Sequence, residues 1–195
     1  MKELLVAVTG ASGAIYADRL LRAAAGQRVS VGLVITPEGA EIAAHELGWA
    51  VDFDKMRVTG LAVEVEKAVR HYHPDDLAAR YASGSSAPEA MVVIPCSMGT
   101  AGRIAAGLAD TLITRAAAVC LKERKPLVLV VREAPVSLVD LRNLTTLAEA
   151  GAVIMPAAPP FYSRPRSIEE MADYFVTRVL DQVGLHVEHA GRWGG

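Results

Sequence analysis

The chain has only two cysteines, Cys96 and Cys120, both in apolar or helical surroundings and far from any C-x-x-C spacing. A disulfide scaffold and a structural thiolate site are thereby excluded. Positive charge is not in excess either: the formal net charge is -2, and a nucleic-acid surface would call for a clustered basic face. No apolar run approaches the roughly 18 residues of a membrane span. The apolar run near the N-terminus, about six residues long, ends in a turn and not in a signal-type core. We therefore expect no membrane association and a cytoplasmic location. The histidine pair His71 and His73 has no third ligand at suitable spacing, so it is expected to be solvated surface, with no metal bound. Two signatures are also missing. There is no G-x-G-x-x-G after the first strand, and the second strand ends in Thr36 and not in an acid, which argues against NAD or NADP. Without G-x-S-x-G or an available histidine base, Ser97 is not read as a nucleophile. Cys96 reads as a small buried hydrophobe.

What is present is an alternation. Apolar stretches at 4–8, 29–35, 91–94, 127–131 and 152–155 lack polar alternation, as strands buried on both faces do. Helical segments fit between and after them at 13–25, 38–48, 100–108, 111–124, 138–150 and 168–183. The pattern predicts an α/β fold with an open parallel sheet covered by helices on both faces, in a single domain of 195 residues. Ser167 with Glu170 reads as a capping box and Ser137 with Asp140 as a weaker one. Gly151 and Gly184 stand where helices need a left-handed stop. The charged segment 52–80 is expected to be a connection with partial helix and one short strand at 61–65.

Chemistry-bearing residues gather where strands end. TGASGA, residues 9–14, is a tight strand-to-helix turn in which backbone N–H groups and the Ser12 hydroxyl can face a mononucleotide or flavin. It can equally be a small-residue turn that lets the first helix pack. SGSSAP, residues 83–88, is either an anion cradle or an exposed loop. PCSMGT, residues 95–100, ends a central strand and faces the same crevice as TGASGA in an open α/β sheet. Arg115 and Lys122 share one helix face with alanine and valine between them, which suits an anion site, a subunit interface or a solvated stripe. Arg132 and Glu133 close a buried strand, where Arg132 can bind phosphate and Glu133 can exchange protons. Tyr162 is held on a stiff proline-rich loop. Arg178 lies among Val176, Val179 and Leu180, so it is expected to be half-buried and paired.

Taken together, TGASGA, ASGSSAP, PCSMGT, RAAAVCLKERKPLVLVVREAP, GAVIMPAAPPFY and TRVLDQ make the chain resemble the flavin prenyltransferases of the UbiX/Pad1 family, within the flavin-binding decarboxylase-like superfamily. The resemblance runs over nearly the whole chain. It implies a Rossmann-like, flavodoxin-like fold, with an FMN-binding domain over 1–185 and a tail over 186–195. It implies transfer of a dimethylallyl group from dimethylallyl monophosphate to N5 and C6 of reduced FMN, without a metal, to make prenylated FMN for UbiD-type decarboxylases. FMN contacts are implied for Gly10, Ala11, Ser12, Thr36, Ser97, Met98, Gly99, Thr100 and Arg132. The prenyl phosphate is implied to meet Tyr162 and Arg178, with Arg115, Lys122 and Ser85 nearby. Ser12, Glu46, Lys122 and Glu133 fall at the catalytic positions: Glu133 acts with the departing phosphate, and Ser12 with Glu46 manages the N5 proton. Sites shared between subunits of a homo-dodecamer are implied as well.

Two rivals remain. An FMN-dependent cysteine decarboxylase of the same superfamily would show an active-site histidine after the first helix and a PASANT-like loop; here the loop reads PCSMGT, and His45 is followed by Glu46. A non-catalytic FMN carrier would leave Arg115, Lys122 and Glu133 without a task.

Overall fold

The computed structural model describes residues 1, 3–27 and 29–187. Six strands form one parallel sheet: β1 (Glu3–Val8), β2 (Ser30–Ile35), β5 (Val69–Tyr72), β6 (Ala90–Cys96), β7 (Leu127–Val131) and β8 (Val153–Pro156), in the order β5-β2-β1-β6-β7-β8. A separate antiparallel hairpin is made by β3 (Ala50–Asp52) and β4 (Arg57–Thr59). The helices are α1 (Ala14–Gly26), α2 (Pro37–Leu47), α3 (Val63–Ala68), α4 (Met98–Ala105), α5 (Leu112–Lys122), α6 (Leu138–Glu149) and α7 (Ile168–Gln182). The expected α/β class, the single parallel sheet and its coverage on both faces are all found. The tail expected at 186–195 lies outside the described residues from position 188 onward.

Side chains alternate along each strand, and the two faces feed two cores. Leu4, Val6 and Val8 of β1 join α1, α2, α3 and α7 in one core. Leu5 and Ala7 point the other way and join α4, α5 and α6. Helices α5 and α7 therefore stand on opposite sides of the sheet. The chain order reverses between β1 and β6: after β1 it builds outward to β2 and β5, then returns to β6 on the other flank. Such a switch point leaves a crevice beyond the carboxyl ends of the two strands.

Segment 52–80 is more ordered than expected, and the strand expected at 61–65 is not there. Leu61 and Val65 are buried while Val63 between them is 64% exposed, a spacing of four that a helix satisfies and a strand does not. Val63 instead opens α3, just after a turn in which Gly60 has φ 91°. The sixth strand, β5, follows directly. It is an edge strand with the polar sequence VRHY, so it lacks the continuous apolar signal of its buried neighbours. At the helix starts, Ser137 and Asp140 complete a reciprocal capping box. Ser167 accepts from the Glu170 N–H, but the Glu170 carboxylate accepts from the Arg166 N–H, so that box is only half closed. Gly151 and Gly184 are left-handed, with φ 101° and 76°.

His71, expected to be solvated, is part of β5, and its burial pushes the imidazole down to about 4 from its ordinary 6.5. Folding thus favours the neutral ring. Below pH 6.5 the unfolded chain takes up a proton that the native chain refuses until about pH 4, so stability falls across that window as pH falls. His71→Leu should flatten this slope, and thermal melts of the two proteins should diverge by roughly 5 °C at the acid end.

Candidate functional site

The turn after β1 is held from three sides. Gly13 precedes α1 with φ 109° and offers no side-chain cap. Glu46, reaching across from α2, does the capping: both its carboxylate oxygens accept from the Gly13 N–H, at 3.1 and 3.0 Å, and Oε2 also accepts from the Ala14 N–H at 2.7 Å. A carboxylate there meets the positive end of the helix dipole. From β7, Arg132 Nε donates to the Ser12 carbonyl at 3.2 Å. From the end of β6, the Pro95 carbonyl accepts from the Thr9 hydroxyl at 2.9 Å, and the Ser97 N–H donates to the same hydroxyl at 2.8 Å. Between these anchors Ser12 is exposed. Gly10 is required by close approach: a Cβ would come within 2.8 Å of the Glu38 Cβ at the start of α2.

Beside this turn lies a cavity of about 360 Å³ into which three helix starts converge. Thr36 caps α2 by accepting from the Gly39 N–H, Ser97 caps α4 by accepting from Thr100, and Thr111 caps α5 by accepting from Thr114. All three caps line the cavity, together with Gly99, Thr100 and Arg103. Each cap is a neutral hydroxyl, and the cavity wall also carries Glu38, in the first turn of α2, and Asp75, with Arg103 as its cation. The converging helix starts make a seat for an anion such as a phosphate. Arg103 is paired with Asp110 at the rim. Met98 packs its side chain on the core below, so it has only backbone to offer. Residues 97–100 and Thr36, singled out from the sequence, are thus brought together. Thr111 and Thr114 were missed, although T-x-x-T before an apolar run is a readable cap. Thr9 was missed because nothing in its spacing shows that its hydroxyl is spent across the sheet.

The remaining candidates fall into two groups. On α5, Arg115 Nε donates to the Ala82 carbonyl at 2.9 Å, and Lys122 pairs with Glu123 at 2.7 Å. The loop carrying Ser85 lies over them: a Cβ on Gly84 would sit 2.8 Å from Lys122 Nζ, and the Ser83 and Ser85 hydroxyls are 3.0 Å apart. Across the sheet, Tyr162 is 54% exposed, and its hydroxyl bonds to that of Tyr174. Arg178 is exposed on α7 and makes no ion pair among the described residues. The expectation that it is half-buried and paired is corrected; the helical period turns its neighbours Val179 and Leu180 inward and leaves position 178 outside. Within one chain, then, the α5 cations and Arg178 do not meet. Glu133 is exposed at the end of β7 and, among the described residues, accepts from its neighbour Ala134 alone, at 3.1 Å. No group of three potential metal ligands occurs among the described residues.

A family model described as Flavoprotein matches residues 1–179. The chain is 43% identical to a flavin prenyltransferase UbiX of Methanothermobacter thermautotrophicus, covering 100% of this chain and 97% of that protein. It superposes with a TM-score of 0.87 on the crystal structure of AnUbiX (PadA1) in complex with FMN and dimethylallyl pyrophosphate, at 36% identity over 100% of this chain and 98% of the other. The same score, at 37% identity over 99% and 100% of the two chains, is found for a dodecameric FMN-dependent Ubix-like decarboxylase from Escherichia coli O157:H7.

Cys96 lies within the site loop but is fully buried, and desolvation pushes its thiol up to about 12; Cys120 is likewise buried and likewise raised to about 12. Thiolate is the reactive form. Neither cysteine should be alkylated by iodoacetamide in the folded protein at neutral pH, whereas both should react after denaturation. Labelling of native Cys96 would return it to the list of nucleophiles.

Proposed function

The chain belongs to the flavoprotein family, and we propose that within it this protein is a flavin prenyltransferase, joining a dimethylallyl group from dimethylallyl monophosphate to N5 and C6 of reduced FMN. The observation that carries the reading is the joint geometry of the two loops. Three neutrally capped helix starts form a phosphate seat, next to a clamped turn that presents an exposed Ser12. FMN has its anion and its ring at opposite ends, and the two loops match that polarity: Thr36, Ser97, Gly99 and Thr100 take the phosphate, with a backbone N–H from Met98, while Gly10, Ala11, Ser12 and Arg132 face the ring.

Prenyl transfer breaks the allylic C–O bond, whose electron pair leaves on the phosphate, and forms a C–N bond between that allylic carbon and N5, with loss of the N5 proton. Addition of C6 across the remaining double bond then gives up one proton at C6 while the alkene takes up another. Positive charge must stand where the phosphate departs; Arg115, Lys122 and Arg178 supply it, and the Tyr162 and Ser85 hydroxyls add hydrogen-bond donors. Because α5 and α7 lie on opposite faces of the sheet, one copy offers Arg115 and Lys122 and another offers Tyr162 and Arg178. The active form is accordingly an oligomer with shared sites, and the dodecameric assembly of the Ubix-like relative is the arrangement we infer for it. Glu133, whose carboxylate makes no ion pair among the described residues, exchanges protons with the departing phosphate. Glu46 is engaged by two backbone N–H groups; it holds the turn in place while the Ser12 hydroxyl meets the N5 proton. No metal is needed for charge stabilisation that three cations provide. The prenylated flavin would be handed to a UbiD-type decarboxylase, in the cytoplasm.

The test is anaerobic incubation of the protein with reduced FMN and dimethylallyl monophosphate, followed by the mass of the flavin. A gain of one five-carbon unit is expected; unmodified bound flavin would overturn the reading in favour of a carrier or a decarboxylase. Glu133→Ala should keep FMN affinity while lowering kcat by about 100-fold or more, and an unchanged rate would remove Glu133 from proton transfer. Arg178→Ala should raise KM for the prenyl phosphate by roughly 10- to 100-fold with little effect on FMN. Equal effects on both ligands would place Arg178 elsewhere.

A further inference from the structure

Thr9 is a polar residue with 1% of its surface exposed, and no part of the reaction uses it. Its hydroxyl is saturated in both directions, donating to the Pro95 carbonyl at 2.9 Å and accepting from the Ser97 N–H at 2.8 Å. Its own N–H reaches the same Pro95 carbonyl at 3.2 Å. These bonds join the end of β1 to the end of β6, the pair at which the sheet order reverses. The regular β1–β6 pairing stops at Ala7 with Val93, and β6 then bulges away from its β7 register between Val93 and Cys96. Past that point the strand ladder no longer ties the two loops together. The Thr9 side chain does, beside the single backbone bond from the Thr9 N–H to the Pro95 carbonyl, and it alone reaches the Ser97 N–H.

We propose that Thr9 is a positioning residue for FMN: it sets the spacing between the turn that presents Ser12 to the ring and the Ser97 loop that receives the phosphate. The proposal rests on the FMN reading given above. Thr9 itself touches neither end of the ligand. A ligand that spans both loops gains its second contact only when the spacing is right, because the effective concentration of the tethered group depends on that distance. A ligand that uses one loop alone is indifferent to it. Valine has the shape of threonine but neither bond, leaving the Ser97 N–H without its partner. Serine keeps both.

The experiment compares the full-length wild type with Thr9→Val and Thr9→Ser, measuring dissociation constants for FMN and for riboflavin, which lacks the phosphate. Flavin fluorescence is read at a temperature where circular dichroism shows all three proteins folded. Thr9→Val should weaken FMN by at least about tenfold and change riboflavin by less than about threefold, and Thr9→Ser should restore FMN binding. Unaltered FMN affinity in Thr9→Val, equal losses for the two flavins, or failure of serine to rescue would each overturn the proposal. Should Thr9→Val not fold, hydrogen exchange at the Ser97 amide of the ligand-free wild type decides. Strong protection supports the clasp, and exchange at the rate of an open loop refutes it. A wild type that binds no FMN would instead defeat the functional reading, while the Ser97 amide would still report on the clasp.

Discussion

Six strands that all run the same way must turn into their helices at the same edge of the sheet. At that edge the first backbone N–H groups of each helix have no partner within the helix, and the helix dipoles add a positive field to them. A parallel sheet with both faces covered therefore concentrates unsatisfied donors along one line. The site grows out of how the chain disposes of them. At α1 the chain spends a charge of its own, the Glu46 carboxylate, on the Gly13 and Ala14 N–H groups. At α2, α4 and α5 the caps are the hydroxyls of Thr36, Ser97 and Thr111, and Glu38 is the one acid in the first turn of any of the three. The first helix start is capped by a carboxylate from another helix, and the other three, capped by hydroxyls, face a common cavity.

Rigidity comes from the same economy of hydrogen bonds. The turn after β1 is short and rich in small residues, and left to itself it would have many conformations. Arg132 from the end of β7 and Glu46 from α2 fix backbone groups of the turn, and Thr9 at its start is tied to backbone groups at the end of β6. The Ser12 hydroxyl is left as the free element on a fixed frame, which is the condition for a group that must meet one atom of a ligand.

The two faces of the sheet explain why a single chain holds only part of the chemistry. Arg115 and Lys122 ride on α5 on one face and Arg178 on α7 on the other, and no connection within the chain brings them together. Exposed apolar residues near the start of α6 and in the loop before α7, among them Leu138, Val139 and Phe161, leave surface of the kind that subunit contacts bury. On the proposed reading, the charge needed at the prenyl phosphate would be completed by assembly and not by folding alone.

The sequence by itself settled the α/β class, five of the six strands of the main sheet and the six longer helices, because buried parallel strands announce themselves as unbroken apolar runs and helix starts and stops as hydroxyl caps and glycines. It also marked TGASGA and PCSMGT, the two loops that the structure joins at the switch point of the sheet. It failed where the signal was not local. VRHY became a strand because β2 offered a free edge, His71 lost its water through the elements packed around it, and Val65 buries itself from a helix, with Leu61 in the bend just before it, through the core both face. Arg178 was misjudged because apolar neighbours in sequence are not neighbours in space on a helix. That Thr9 clasps β6, that Glu46 caps a helix far from its own, and that Arg115 and Arg178 stand on opposite faces were decided only by the tertiary structure, for these are relations between residues whose separation along the chain says nothing about their distance.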